Sequence, residues 1–187
     1  MKATHPARRL PVTIPPRGRG QSIVELAVIA PLLMVLLLGG FNVTMLISDK
    51  LVAGYTARQG ARLAAELGGQ QTNPGVTQSQ LDQKIVRNML AVAGGLRYAG
   101  VKEIDIYLAS GPDGVYQPGN PVDQFNGSGN PLSGGFQTFT LDKRQQTPPQ
   151  ETPIGVRIVW LYMSPTTNGP VMTFTEYAVM TAAPVLN

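Results

Sequence analysis

Two residues set the first chemical question. Gly20 is followed at a distance of five by Glu25, a carboxylate just inside a long apolar run. A charge in the middle of a bilayer costs roughly 2.5–3.5 kcal/mol on insertion scales, and less near the edge. A boundary residue that snorkels to water explains Glu25 in one way. The spacing offers another. A cut after Gly20 creates a new α-amino group on Gln21, about 6 Å along the helix axis from Glu25 at 1.5 Å per residue. That ammonium can pair with the carboxylate, in its own chain or in a neighbour's.

Other chemistry is sparse. There is no cysteine, so disulfides, thiolate nucleophiles and zinc-thiolate sites are excluded. His5 is the single histidine and lies in the Pro-rich N-terminal stretch, so Ser-His-Asp and His-based metal sites do not arise downstream. No phosphate-binding loop is present. Glu103 and Asp105 share a face of a predicted strand, and a solvated sheet face is the simpler reading. Asp113, Asp123, Asn126 and Asn130 do not follow the spacing of a calcium loop, and turn chemistry accounts for them. Trp160 reads as core or interface. The expectation is no enzyme, no metal and no cofactor.

The elements that position Glu25 come next. From Leu26 to Ile47 there is no charged side chain. About 20 apolar helical residues cross a hydrocarbon core, whereas a secretory h-region is roughly 7–15 residues and precedes a cleavage site. The run therefore reads as a retained membrane helix over 21–47. Pro31 removes a backbone donor within it, which predicts a kink. Gly39 and Gly40 form a second weak point and admit close approach of another helix. Lys2, Arg8, Arg9, Arg17 and Arg19 precede the run, and no acid does. Without those five, ten Lys/Arg face eleven Asp/Glu, so the basicity is a topology signal and not a nucleic-acid patch. The N-terminus is expected in the cytoplasm, with residues 1–20 as a basic leader or tail and 48–187 outside.

The string Arg19-Gly20-Gln21-Ser22-Ile23-Val24-Glu25-Leu26-Ala27, with Pro31-Leu32-Leu33, carries a resemblance. Gly20, four residues, Glu25 and an apolar helix resemble the processing site of type IV prepilins. The fuller string is similar to the TadE/TadG-like family, minor pilin-like proteins of tight-adherence pilus systems. The resemblance implies a prepilin peptidase acting between Gly20 and Gln21. It also implies charge pairing by Glu25 during assembly, and partners among other pilin-like subunits and pilus assembly proteins. It places the chain in the cytoplasmic membrane or in the pilus itself. The alternative is an uncleaved single-pass protein whose exported domain binds a surface glycan or a protein.

The exported part reads as a small α+β domain with an antiparallel sheet. The first helix continues past Ser48, with Leu51, Tyr55, Ala61 and Leu63 near one face. A second helix spans about 78–92 behind a Thr77/Gln80 capping box, with Leu81, Ile85, Met89 and Val92 as its packing stripe. Strands are predicted over 101–109, 136–141, 154–163 and 171–181, the last two as a hairpin. Residues 115–135 are predicted as a long surface loop.

Overall fold

The computed structural model describes residues 19–67, 75–111, 113–133, 138–145, 151–165 and 170–182. Its elements are α1 (Arg19–Leu67), α2 (Gln78–Ala93), β1 (Ala99–Leu108), β2 (Val122–Asn126), a 3-10 turn (Leu141–Lys143), β3 (Pro153–Met163) and β4 (Pro170–Thr181). The chain divides into two units, Met1–Gly39 and Gly40–Asn187. In the first, α1 runs on through Pro31, and large apolar side chains such as Ile23, Leu32 and Leu36 are exposed. Among the described residues, α1 is the one helix long and apolar enough to cross a membrane.

The second unit is α+β. Its sheet has the order β2-β1-β3-β4, antiparallel throughout. Alternation writes the core into β3. Ile154, Val156, Ile158, Trp160 and Tyr162 all point into one cluster, which also holds Ile104 and Ile106 of β1. Trp160 stacks on Phe174 of β4 with centroids 4.7 Å apart. The β3–β4 hairpin pairs as its sequence predicts, from Pro153↔Thr181 to Tyr162↔Met172 and beyond.

α2 begins at the predicted capping box. Thr77 N donates to Gln80 Oε1 at 3.0 Å, and Gln80 N donates back to Thr77 Oγ1 at 3.4 Å. Leu81, Ile85 and Met89 are buried in the predicted stripe, joined by Asp82, Val86 and Ala93.

Of the face predicted for α1, Ala61 is buried and Leu63 packs half-buried against the core, but the large residues Leu51 and Tyr55 do not. Leu51 is 70% exposed and Tyr55 53%, while Ala53, Ala57, Ala61 and Ala64 are fully buried. Their spacings of four, four and three make one stripe. Small side chains let the helix approach closely. A Cβ on Gly60 would lie 2.5 Å from Met89 Sδ of α2. Buried Asp49 fixes the helix against the α2–β1 link, accepting from the backbone N–H groups of Arg97 (2.9 Å) and Tyr98 (3.0 Å).

Three further expectations change. The stretch predicted as one long loop contains β2, which pairs with β1 from Glu103↔Asn126 to Tyr107↔Val122. The strand predicted over 136–141 is not found among the described residues there. Phe139 is instead a buried core residue ahead of the 3-10 turn. The second face of β1 is covered rather than solvated. Tyr107 is fully buried, packs edge-on to Tyr116 at 5.4 Å, and donates its hydroxyl to the Gly114 carbonyl at 2.8 Å. A Cβ on Gly155 would collide with the Tyr107 ring, so β3 crosses here with no side chain.

Candidate functional site

Gly20 and Gln21 lie in the first turn of α1, and the Gln21 side chain falls outside what the structure describes. Glu25 follows one turn later, on an exposed helix surface. In the intact chain the Gln21 nitrogen belongs to a peptide bond, so the pairing ammonium exists only after a cut. Beyond Pro31, a Cβ added at Gly39 or Gly40 would meet nothing within 4 Å. Both positions therefore present bare helix backbone, open to another surface.

Among the described residues of the second unit, two groups of three charged side chains form. The first is buried. Arg144 donates to both oxygens of Asp82, at 2.7 and 3.0 Å, and to Asp123 Oδ2 at 2.9 Å. Its Nε donates to the Phe139 carbonyl at 3.1 Å, and the guanidinium lies 4.7 Å from the centre of the Phe139 ring. Asp123 Oδ2 also accepts from Gln78 at 2.6 Å, and its Oδ1 from the Phe139 backbone at 3.2 Å. Burial, with Asp82 beside it, pushes the Asp123 carboxyl up to about 6 against the pull of Arg144. All four carboxylate oxygens are occupied, so this group clamps α2, β2 and the 139–144 segment together and offers no ligand a free position.

The second lies on the other sheet face. Arg157 of β3 meets Glu103 at 3.0 Å and Asp105 more closely, beneath the Tyr116 ring at 4.4 Å. Two acids share one guanidinium, and Asp105 Oδ1 has no partner among the described residues. Burial pushes Asp105 up to about 7, partly offset by Arg157. A displaced carboxyl in a cleft would suggest acid–base chemistry. A recess of about 470 Å³ does open nearby, lined by Tyr116, Asn120, Gln124, Thr138 and Lys143 among others, but neither acid lines it. Asp113, Asn126 and Asn130 serve the loops, as when Asn126 Oδ1 accepts from Ser128 and Asn130 N–H groups at 2.9 Å. No cluster of three or more His, Asp or Glu that could hold a metal occurs among the described residues.

Residues 20–62 match the family model described as TadE-like protein. The helical segment is TadE-like. The match opens at Gly20, takes in the whole exposed apolar run, and continues through Ala53, Ala57 and Ala61. The TadE-like stretch thus takes in both the apolar run and part of the face that closes the core. Comparison with curated proteins gives no match, and neither does comparison with solved structures.

Arg144 and Asp82 had no signal in the sequence that could have paired them, since 62 positions separate them.

Proposed function

We propose that this TadE-like protein is a single-pass, pilin-like subunit that takes part in assembly of a tight-adherence type IV pilus and performs no catalysis. Its N-terminus lies in the cytoplasm and its α+β domain outside the cytoplasmic membrane, an orientation supported by the five basic residues ahead of the apolar run. Prepilin peptidase cuts after Gly20. Glu25 then pairs with a Gln21 ammonium during assembly with other pilin-like subunits, while Pro31, Gly39 and Gly40 shape the helix for packing. The observation that carries this reading is the extent of the family match. It starts at the proposed cut and spans the helix from its apolar run to its buried alanine face.

A second reading has one observation in its favour. The recess beside Tyr116 combines an aromatic ring with Asn120, Gln124 and Thr138, side chains suited to hydroxyl-rich ligands. In that reading the chain is an uncleaved anchor whose domain binds a surface glycan or protein. Mass spectrometry of the chain's N-terminus after co-expression with its peptidase separates the two. A mature chain starting at Gln21, with Gly20→Val left uncut, supports the pilus subunit. A full-length wild-type chain refutes the processed-subunit reading in favour of the anchor.

A further inference from the structure

The folded unit reaches down α1 into the apolar run. Phe41 meets the Tyr98 ring edge-on at 6.4 Å. The Asn42 carbonyl accepts from the Tyr162 hydroxyl at 3.0 Å, and Asn42 Oδ1 accepts from Ser164 Oγ at 3.1 Å. The α2–β1 link and the end of β3 are therefore fixed beside residues 41 and 42. Between them is a recess of about 340 Å³ lined by Arg97, Tyr98, Met163, Ser164 and Pro165. Met163 is 45% exposed, and the exposed Arg97 side chain has no ion pair with a described residue.

Hydrocarbon cannot accept such a surface. Irregular backbone exposed to lipid tails lacks hydrogen-bond partners, and an arginine there is costly. If α1 spans a bilayer, the hydrocarbon must end before Phe41. Ser22–Gly40 is long enough, about 28 Å of helix against a core of about 30 Å. The two loops then stand within about one helical turn of the boundary, inside the headgroup layer, which is several Å deep. Aromatic residues favour that layer, and guanidinium groups pair readily with phosphate.

We infer that this recess is a membrane-seating surface. Phe41, Tyr98 and Met163 lie at headgroup depth, and Arg97 binds the phosphate of a phospholipid. The inference rests on the membrane-anchored reading above and goes further, because it fixes where the span ends and gives the domain a lipid-contacting base.

The chain has no cysteine, so single spin labels can be placed without background. The full chain is reconstituted in nanodiscs of phosphatidylethanolamine and phosphatidylglycerol with a label at Leu36→Cys, Met163→Cys or Ser110→Cys. Collision with oxygen and with a water-soluble nickel chelate reports depth. The expected order is Leu36 in hydrocarbon, Met163 in the headgroup layer and Ser110 in water. Adding Arg97→Gln is expected to shift the Met163 label towards water. A Met163 label as aqueous as Ser110, or as deep as Leu36, overturns the inference while leaving the anchor intact. An unmoved label in the Arg97→Gln chain overturns the phosphate contact. An aqueous Leu36 label removes the anchor itself.

Discussion

Arg144→Met is the most severe single substitution that the buried charge network allows. It removes three charge-assisted bonds to carboxylates and leaves Asp82 and Asp123 facing each other without a cation. Both carboxylates and the arginine are fully buried, so water cannot replace what is lost. Taking one partner from a buried pair costs about 3–5 kcal/mol. Against a typical domain stability of about 5–15 kcal/mol, that is a large fraction. Trp160 is the one tryptophan and is fully buried, so its fluorescence follows urea unfolding of the full chain in detergent. The expected result is a loss of about 4 kcal/mol at pH 8, with the same slope against urea. The loss should shrink towards pH 5. Burial already raises the Asp123 carboxyl against the pull of Arg144, so without Arg144 it holds its proton still more tightly folded than unfolded, and stability rises as pH falls. Adding Asp82→Asn and Asp123→Asn should restore most of the loss, because the uncompensated charge is then gone. A loss below about 1 kcal/mol that is indifferent to pH would refute the view that these charges are paired in a dry interior.

The small-residue face of α1 predicts opposite effects at two glycines. Gly60→Leu should destabilise by roughly 1–3 kcal/mol against Met89, whereas Gly54→Ala, with nothing within 4 Å of its added Cβ, should stabilise by up to about 1 kcal/mol; equal melting shifts would contradict that packing. Asp105 is raised from 3.8 to about 7 in the folded chain, so it binds more protons folded than unfolded across that interval. Its contribution to stability should fall as pH rises from about 4 to about 7, and Asp105→Asn should flatten that part of the urea-midpoint profile. Glu25→Gln should insert and be processed nearly as wild type, yet recover fewer pilus components in a pull-down at matched membrane levels. Wild-type recovery would mean that Glu25 only snorkels.

The elements legible in the sequence were those whose signal is local. The capping box at Thr77 and Gln80, the alternation in β3 and the uncharged run from Leu26 each lie within one continuous stretch of chain. The failures share a different cause. An amphipathic reading turns the large residues Leu51 and Tyr55 inward, but a helix that packs closely turns its alanines inward instead. β2 is five residues in a Gly- and Asn-rich stretch, and pairing with β1 makes it a strand where its own propensity would not. Arg144 looks like one more polar loop residue until folding brings Asp82 and Asp123 to it. Of the candidate site, Gly20, Gln21, Glu25, Pro31, Gly39 and Gly40 stand on one described helix, while the Gln21 side chain falls outside what the structure describes.

The bond between Asn42 and Tyr162 spans 120 positions, and that between Asn42 and Ser164 spans 122. A ribosome delivers α1 well before β3. At about 5–20 residues per second, the alanine face waits roughly 5–20 s for the strand that completes its core. α2 can reach Gly60 earlier, but the Trp160 and Tyr162 side of the core cannot form until β3 has emerged. A chain stopped short of β3 would therefore leave its helix with a row of small residues and no sheet to receive them. The order of synthesis sets the length of that vulnerable interval, and a more stable final fold would not shorten it.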